Sequence, residues 1–180
     1  AYERLAAPVL RGNWQDQQLA ELLHATLAVK QWFIETDEFD QAERRLLNFG
    51  HTWGHALESA TLFAIPHGLA VAIGMLAAIR FTGEQPSSAA LWNHCLALLS
   101  PVIEPTQLHA FNPDRFLQAF RADKKHSPGH IHLIVPTAAA PEDLGVEEVR
   151  LPATEASQTL VLQAMREALA VVRGAPVLAG

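Results

Sequence analysis

The chain has 180 residues, 49% hydrophobic and 18% charged, enough apolar material for a sizeable core and too little charge for a disordered chain. Thirteen Lys and Arg against nineteen Asp and Glu give a net charge of −6, which argues against a general nucleic-acid clamp. The single cysteine, Cys95, excludes an internal disulfide framework and a multi-cysteine zinc site. The longest apolar run, Leu69 to Ile79, is about 11 residues, short of the roughly 20 needed to span a membrane. The N-terminus lacks the basic start and apolar stretch of a signal peptide, so a cytoplasmic protein is expected. The chain opens at Ala1 without Met, as an excised piece would. Its length suits one domain over 1–180, with no room for a full Rossmann-type half beside a helical half.

In chain order, Leu19–Phe39 has helical spacing of Leu19, Leu22, Leu23, Leu27, Val29 and Phe33. Arg44–Ala60 continues that habit. Gly68–Phe81 is apolar all round, the pattern of a buried central helix, and its small residues permit close helix contacts. Ala89–Leu99 is a further helix. Asn112 followed by Pro113 reads as a helix start, with the helix running to Lys124. Beyond the turn at Ser127–Gly129, short strands are predicted at His130–Pro136 and Val146–Leu151. A last helix, Ala156–Val172, is built on Leu160, Leu162, Met165 and Leu169. The expected fold is mainly α with one small β excursion.

The segment NFGHTWGHALE, Asn48 to Glu58, carries the chemistry. On a helix, Asn48, His51, His55 and Glu58 recur at steps of three, four and three, sharing one face, with Arg44 a turn earlier. Gly50 and Gly54 each cost about 1 kcal/mol in a helix interior, so something should approach this helix closely. His67 enters the following helix. Two histidines from different helices plus a carboxylate make a three-ligand site that leaves a position for water or substrate. Spacing alone gives metal binding and an ordinary polar face about equal weight. His24, His94, His109, His126, His130 and His132 show no such pattern and read as surface or structural. Cys95 reads as a buried thiol without a base.

These residues, with HGLAVAIGM from His67, Lys30, Asp37–Glu38 and Asp123–Lys125, resemble 3-dehydroquinate synthase and its sugar phosphate cyclase relatives. The resemblance covers roughly Lys30 to Pro136. It implies the helical C-terminal domain of the dehydroquinate synthase-like fold, with the NAD-binding N-terminal domain absent from the chain. No Gly-rich loop after a strand supports dinucleotide binding here, so NAD is expected only through that absent domain. The implied activity is a lyase-type cyclisation of the shikimate pathway and aromatic amino acid biosynthesis, in which NAD-assisted oxidation precedes phosphate elimination and carbocycle formation. The chain by itself is expected to be inactive.

Carried over by position, the resemblance makes His51 and His67 ligands of zinc or another divalent metal. It makes His55 a phosphate contact, Asn48 and Arg44 substrate contacts, Lys30 an active-site lysine, and Lys124, less securely Lys125, a contact to the phosphate end. The third ligand is a glutamate in a Glu-x-x-Lys segment, placed at Glu3 or else before Ala1. If Glu3 is the ligand, Ala6 replaces the lysine of that segment. Leu69 stands where dehydroquinate-forming members have Glu, suggesting a related sugar phosphate. The implied partners are a phosphorylated, carboxylated sugar and either a second copy or an NAD-binding half, with no nucleic acid and no membrane. The alternatives are a domain of an iron- or zinc-dependent alcohol dehydrogenase, or a non-catalytic relic or binding module.

Overall fold

The computed structural model describes residues 2–39, 43–83, 88–140 and 143–174. The chain divides into two compact units, Ala1–Leu47 and Asn48–Gly180.

In the first unit, α1 (Tyr2–Leu10) packs on α2 (Asp16–Thr36). The α2 start is closed by a capping box, in which the Gln15 backbone N–H donates to Gln18 Oε1 at 2.9 Å. No residue of α2 is buried, and Leu23, Leu27, Val29 and Trp32 are exposed. The periodicity that marks this helix therefore does not define a buried stripe within its own unit. Ala6 of α1, by contrast, is buried. Beyond α2, the Arg44 backbone N–H donates to Asp37 Oδ2 at 3.2 Å and its Nη1 donates to the Glu38 carbonyl at 2.9 Å.

A 3₁₀ helix, Glu43–Asn48, leads into the second unit. The second unit is organised around α4 (His67–Thr82), against which α3 (His51–Ala60), α5 (Ala89–Leu99), α8 (Glu155–Gly174) and β1 (His130–Ala140) pack. The apolar-all-round pattern of α4 is explained by this position: Ala70–Gly74 and Leu76–Ile79 are all buried. The short α6 (Pro105–His109) carries Pro105 in its first turn and a capping box from Glu104 to Gln107. Asn112 caps α7 (Pro113–Arg121), its Oδ1 accepting from the Arg115 N–H at 2.9 Å.

Strand β1 pairs antiparallel with β2 (Asp143–Pro152) as a two-stranded sheet. Ile131 and the consecutive residues Leu133, Ile134 and Val135 are buried, which seats the middle of β1 in the core on both faces. The buried stripe of α8 is Val161, Ala164, Met165, Ala168, Leu169 and Val172 at clean helical spacing. Leu160, expected in that core, is 56% exposed, one position off the stripe. Cys95 is buried, and burial pushes its thiol up to about 11, so it is an inert core residue. Among the described residues, no helix is long and apolar enough to cross a membrane.

Candidate functional site

The continuous helix expected over Arg44–Ala60 is broken. Gly50 adopts φ +76°, a left-handed conformation natural to glycine, and α3 begins only at His51. Arg44 and Asn48 therefore lie on the 3₁₀ helix rather than on the same helical face as His51, His55 and Glu58. The periodicity holds within α3 and stops at the glycine.

The close neighbour implied by Gly50 and Gly54 is the backbone of α4. A Cβ on Gly50 would lie 2.7 Å from the Val71 carbonyl oxygen, and one on Gly54 3.0 Å from the Val71 Cα. These glycines bring α3 and α4 together, and that approach places His67, at the start of α4, beside the histidines of α3.

Three imidazoles converge at this seam. The ring centroids of His51 and His55 are 5.6 Å apart, and His67 lies 5.5 Å from each. His51 is half-buried; His55 and His67 are exposed. Burial pushes the His51 imidazole below its ordinary value of 6.5; Lys125, His55 and His67 add to the shift and the Phe49 carbonyl opposes it. His51 is thus neutral at pH 7, the form that binds metals.

The hydrogen bonds set the tautomers. His51 Nδ1 lies 3.2 Å from the Phe49 carbonyl oxygen, and His67 Nδ1 lies 3.1 Å from Glu58 Oε2. A carbonyl or a carboxylate only accepts, so whenever either ring is neutral its Nδ1 carries the proton and its Nε2 keeps the lone pair. A ligating histidine is oriented in this way by a second group on its other nitrogen. The described side chains placed to hold a divalent cation are His55, Glu58 and His67, a set that does not include His51. Their donor atoms all lie within 4.8 Å of one another. The 3.1 Å hydrogen bond to His67 favours Glu58 as the group that orients that ring. Sequence reading placed Glu58 on this face but gave it no role. Its position three residues beyond His55 was the available signal.

Beside the cluster, a cavity of about 390 Å³ is lined by His55, Ser59, Ala119, Ala122, Asp123, Lys124 and Lys125. It brings His55 of α3 together with Lys124, two residues assigned from sequence to a phosphate. The Lys125 backbone N–H donates to Asp123 Oδ1 at 3.0 Å and holds this turn.

Asn48 closes the 3₁₀ helix at the start of this second unit. Glu3, Lys30 and Arg44 belong to the first unit. Glu3 lies on α1, and its side chain is outside the described residues. Lys30 is exposed on α2. Leu69 is half-buried on the first turn of α4. The described sheet is a single antiparallel hairpin.

Together these features define a mainly helical domain with a histidine cluster at the seam of two glycine-packed helices and a lysine-lined cavity beside it. Residues 2–126 match the family model described as 3-dehydroquinate synthase C-terminal, and the chain belongs to that family. It is 38% identical over 120 residues to a 3-dehydroquinate synthase of Dehalococcoides mccartyi, covering 65% of this chain and 33% of that protein. It is 48% identical over 79 residues to a putative aminodehydroquinate synthase of Amycolatopsis mediterranei, covering 44% and 21%. The crystal structure of 2-deoxy-scyllo-inosose synthase shares the fold, with TM-score 0.61 and 18% identity over 86% of this chain and 41% of that one. The chain thus spans about a third of the length of the curated relatives it matches.

Proposed function

We propose that this chain is the metal- and substrate-binding part of a 3-dehydroquinate synthase-like sugar phosphate cyclase. The observation that supports the reading is that His51 and His67, with ring centroids 5.5 Å apart across the α3–α4 seam, each have Nδ1 against an acceptor. In this reading His51 and His67 are the imidazole ligands and Glu58 orients His67. The third ligand is Glu3, assigned through the resemblance alone. A zinc ion so bound supplies Lewis-acid polarisation of substrate oxygens.

The chain's own side chains account for recognition. His55 and Lys124 share one cavity with Lys125, whose lining has two lysines against the one carboxylate of Asp123 in an otherwise acidic protein. A phosphate needs several fixed donors and cations, and such a pocket provides them. Lys30, Arg44 and Asn48 are assigned to the substrate's carboxylate and hydroxyl groups. Hydride transfer falls to an NAD-binding half of the kind the longer relatives have room for. A half-buried Leu69 and the likeness to a putative aminodehydroquinate synthase extend the substrate class to related sugar phosphates, amino-substituted ones included.

Membership of the dehydroquinate synthase family supports this reading over an alcohol dehydrogenase domain. The test is zinc content per chain together with NAD-dependent phosphate release, measured with and without an added NAD-binding half. One zinc per chain, lost in His51→Ala and His67→Ala, and release only with the added half are the expected results. Metal-free protein with unchanged folding overturns the ligand assignment. Zinc binding without phosphate release on any seven-carbon sugar phosphate favours a binding module.

A further inference from the structure

The β1–β2 hairpin and the turn before it carry a second constellation, among histidines whose spacing shows no pattern. Ser127 Oγ lies 2.8 Å from His132 Nε2, and His132 Nδ1 lies 2.6 Å from Glu148 Oε1. The carboxylate only accepts, so in the neutral ring the proton is on Nδ1 and Nε2 offers a lone pair. The Ser127 hydroxyl is then the donor, with its O–H pointed at a base that a carboxylate orients. Nucleophile, base and orienting acid stand at hydrogen-bond distance in the order that activates a serine.

Each member is held by backbone. The His130 N–H donates to the Ser127 carbonyl at 2.9 Å, across a turn in which Gly129 adopts φ +76°. The His132 backbone N–H donates to His126 Nδ1 at 3.2 Å, fixing the start of β1. Glu148 comes from β2, two positions along the ladder from Arg150, the cross-strand partner of His132. Arg150 Nη2 in turn lies 3.0 Å from His130 Nδ1, which sets a guanidinium beside this end of the hairpin. The His132 and Glu148 side chains are 21% and 30% exposed, open to a small reagent.

We propose that Ser127 is a nucleophilic serine, with His132 as its general base and Glu148 as the orienting carboxylate, acting on small activated acyl esters. Ser127 Oγ attacks the ester carbonyl carbon, forming an Oγ–C bond while its proton passes to His132 Nε2. The tetrahedral adduct collapses by breaking the bond from carbonyl carbon to leaving-group oxygen, and the leaving group takes the proton from His132. Water then repeats the sequence at the acyl-serine, releasing a carboxylic acid and restoring the hydroxyl. No oxidant or reductant is involved. This inference does not depend on the metal or phosphate assignments.

The test treats the full chain with a fluorophosphonate probe and, separately, with p-nitrophenyl acetate, followed by intact mass and peptide mapping. One phosphonyl adduct per chain on Ser127 is expected, absent in Ser127→Ala. Loss of the base should slow labelling about 10²-fold in His132→Gln, and Glu148→Gln should slow it at least about 10-fold. Circular dichroism and urea midpoints establish that each variant is folded, and Ser127→Ala, which removes one oxygen atom, keeps the test decisive if His132→Gln unfolds. An unlabelled wild type, an adduct on a lysine or another serine, or equal rates in wild type and folded His132→Gln overturns the proposal.

Discussion

Gly74 of α4 sits directly over the peptide of Gly50, at the left-handed turn that begins α3. A Cβ on Gly74 would lie 2.9 Å from the Gly54 nitrogen, 3.0 Å from the Gly50 carbonyl carbon, and closer still to the Gly50 oxygen. That oxygen already accepts the Gly54 N–H at 2.8 Å, so it cannot swing aside without opening the first turn of α3. Gly74→Ala should therefore force α3 and α4 apart and destabilise the protein by roughly 3 kcal/mol, at the severe end of overpacking. Gly68, on the same helix with nothing within 4 Å of its would-be Cβ, is the control. Gly68→Ala should be neutral or stabilising by a few tenths of a kcal/mol. Urea midpoints of the two variants check both; equal effects would show that the seam yields easily.

That seam also shows how far the sequence could be read. The central position of α4 was visible because a helix apolar on every side has only one place to go. Asn112–Pro113 announced α7 because a cap and a first-turn proline act locally. The break at Gly50 was hidden: Asn48, His51, His55 and Glu58 keep helical spacing whether or not a left-handed residue interrupts them. The same glycine and Gly54 correctly signalled a close neighbour, but not that it is the backbone of the next helix. The nine residues of α1, with Pro8 inside, and the five of α6 are too short to show periodicity. The pairing of His67 with Glu58, and the chain from Ser127 through His132 to Glu148, join residues 9, 5 and 16 apart in different elements. No local pattern encodes such contacts.

Glu58 tests whether the histidine cluster works as a metal centre. If it orients His67 through Nδ1, Glu58→Ala should weaken zinc binding by about 10- to 100-fold, the usual effect of losing an orienting partner. Glu58→Gln, whose amide oxygen can still accept from Nδ1, should lose less. His51→Ala and His67→Ala should lose zinc altogether. Competition titration with a chromophoric chelator measures all four. A Glu58→Ala loss as complete as that of His67→Ala would make Glu58 a ligand in the set with His55 and His67.

Lys124 and His55 face one cavity from different elements, so they should act on the same anion. Each charge-assisted hydrogen bond to phosphate contributes about 1.5–3 kcal/mol. Lys124→Ala should then weaken inorganic phosphate binding by roughly 10- to 100-fold, and His55→Ala by a similar or smaller factor. The combined variant should show less than the sum of the two effects, because the residues share a ligand. Phosphate titration followed by NMR at fixed ionic strength reads this directly. Undiminished binding in the double variant would move the anion site elsewhere.

His126 gives the unit a built-in dependence on pH. Burial pushes its imidazole below the ordinary value of 6.5; nearby Asp123 partly offsets this, while His132 and Lys125 reinforce it. The ring is also committed as an acceptor, since its Nδ1 takes the His132 backbone N–H. The folded state therefore binds fewer protons than the unfolded state just below pH 6.5, and stability rises with pH there. The contribution is fully present above 6.5 and is lost as pH falls through that value, levelling off below the folded-state pKa. His51, lowered in the same direction, adds to the slope. His126→Asn keeps an acceptor for the His132 N–H and removes the titration. Urea unfolding from pH 8 to pH 5 should accordingly show a smaller stability loss in His126→Asn than in the wild type. An unchanged slope would mean that His126 titrates alike in the folded and unfolded chain.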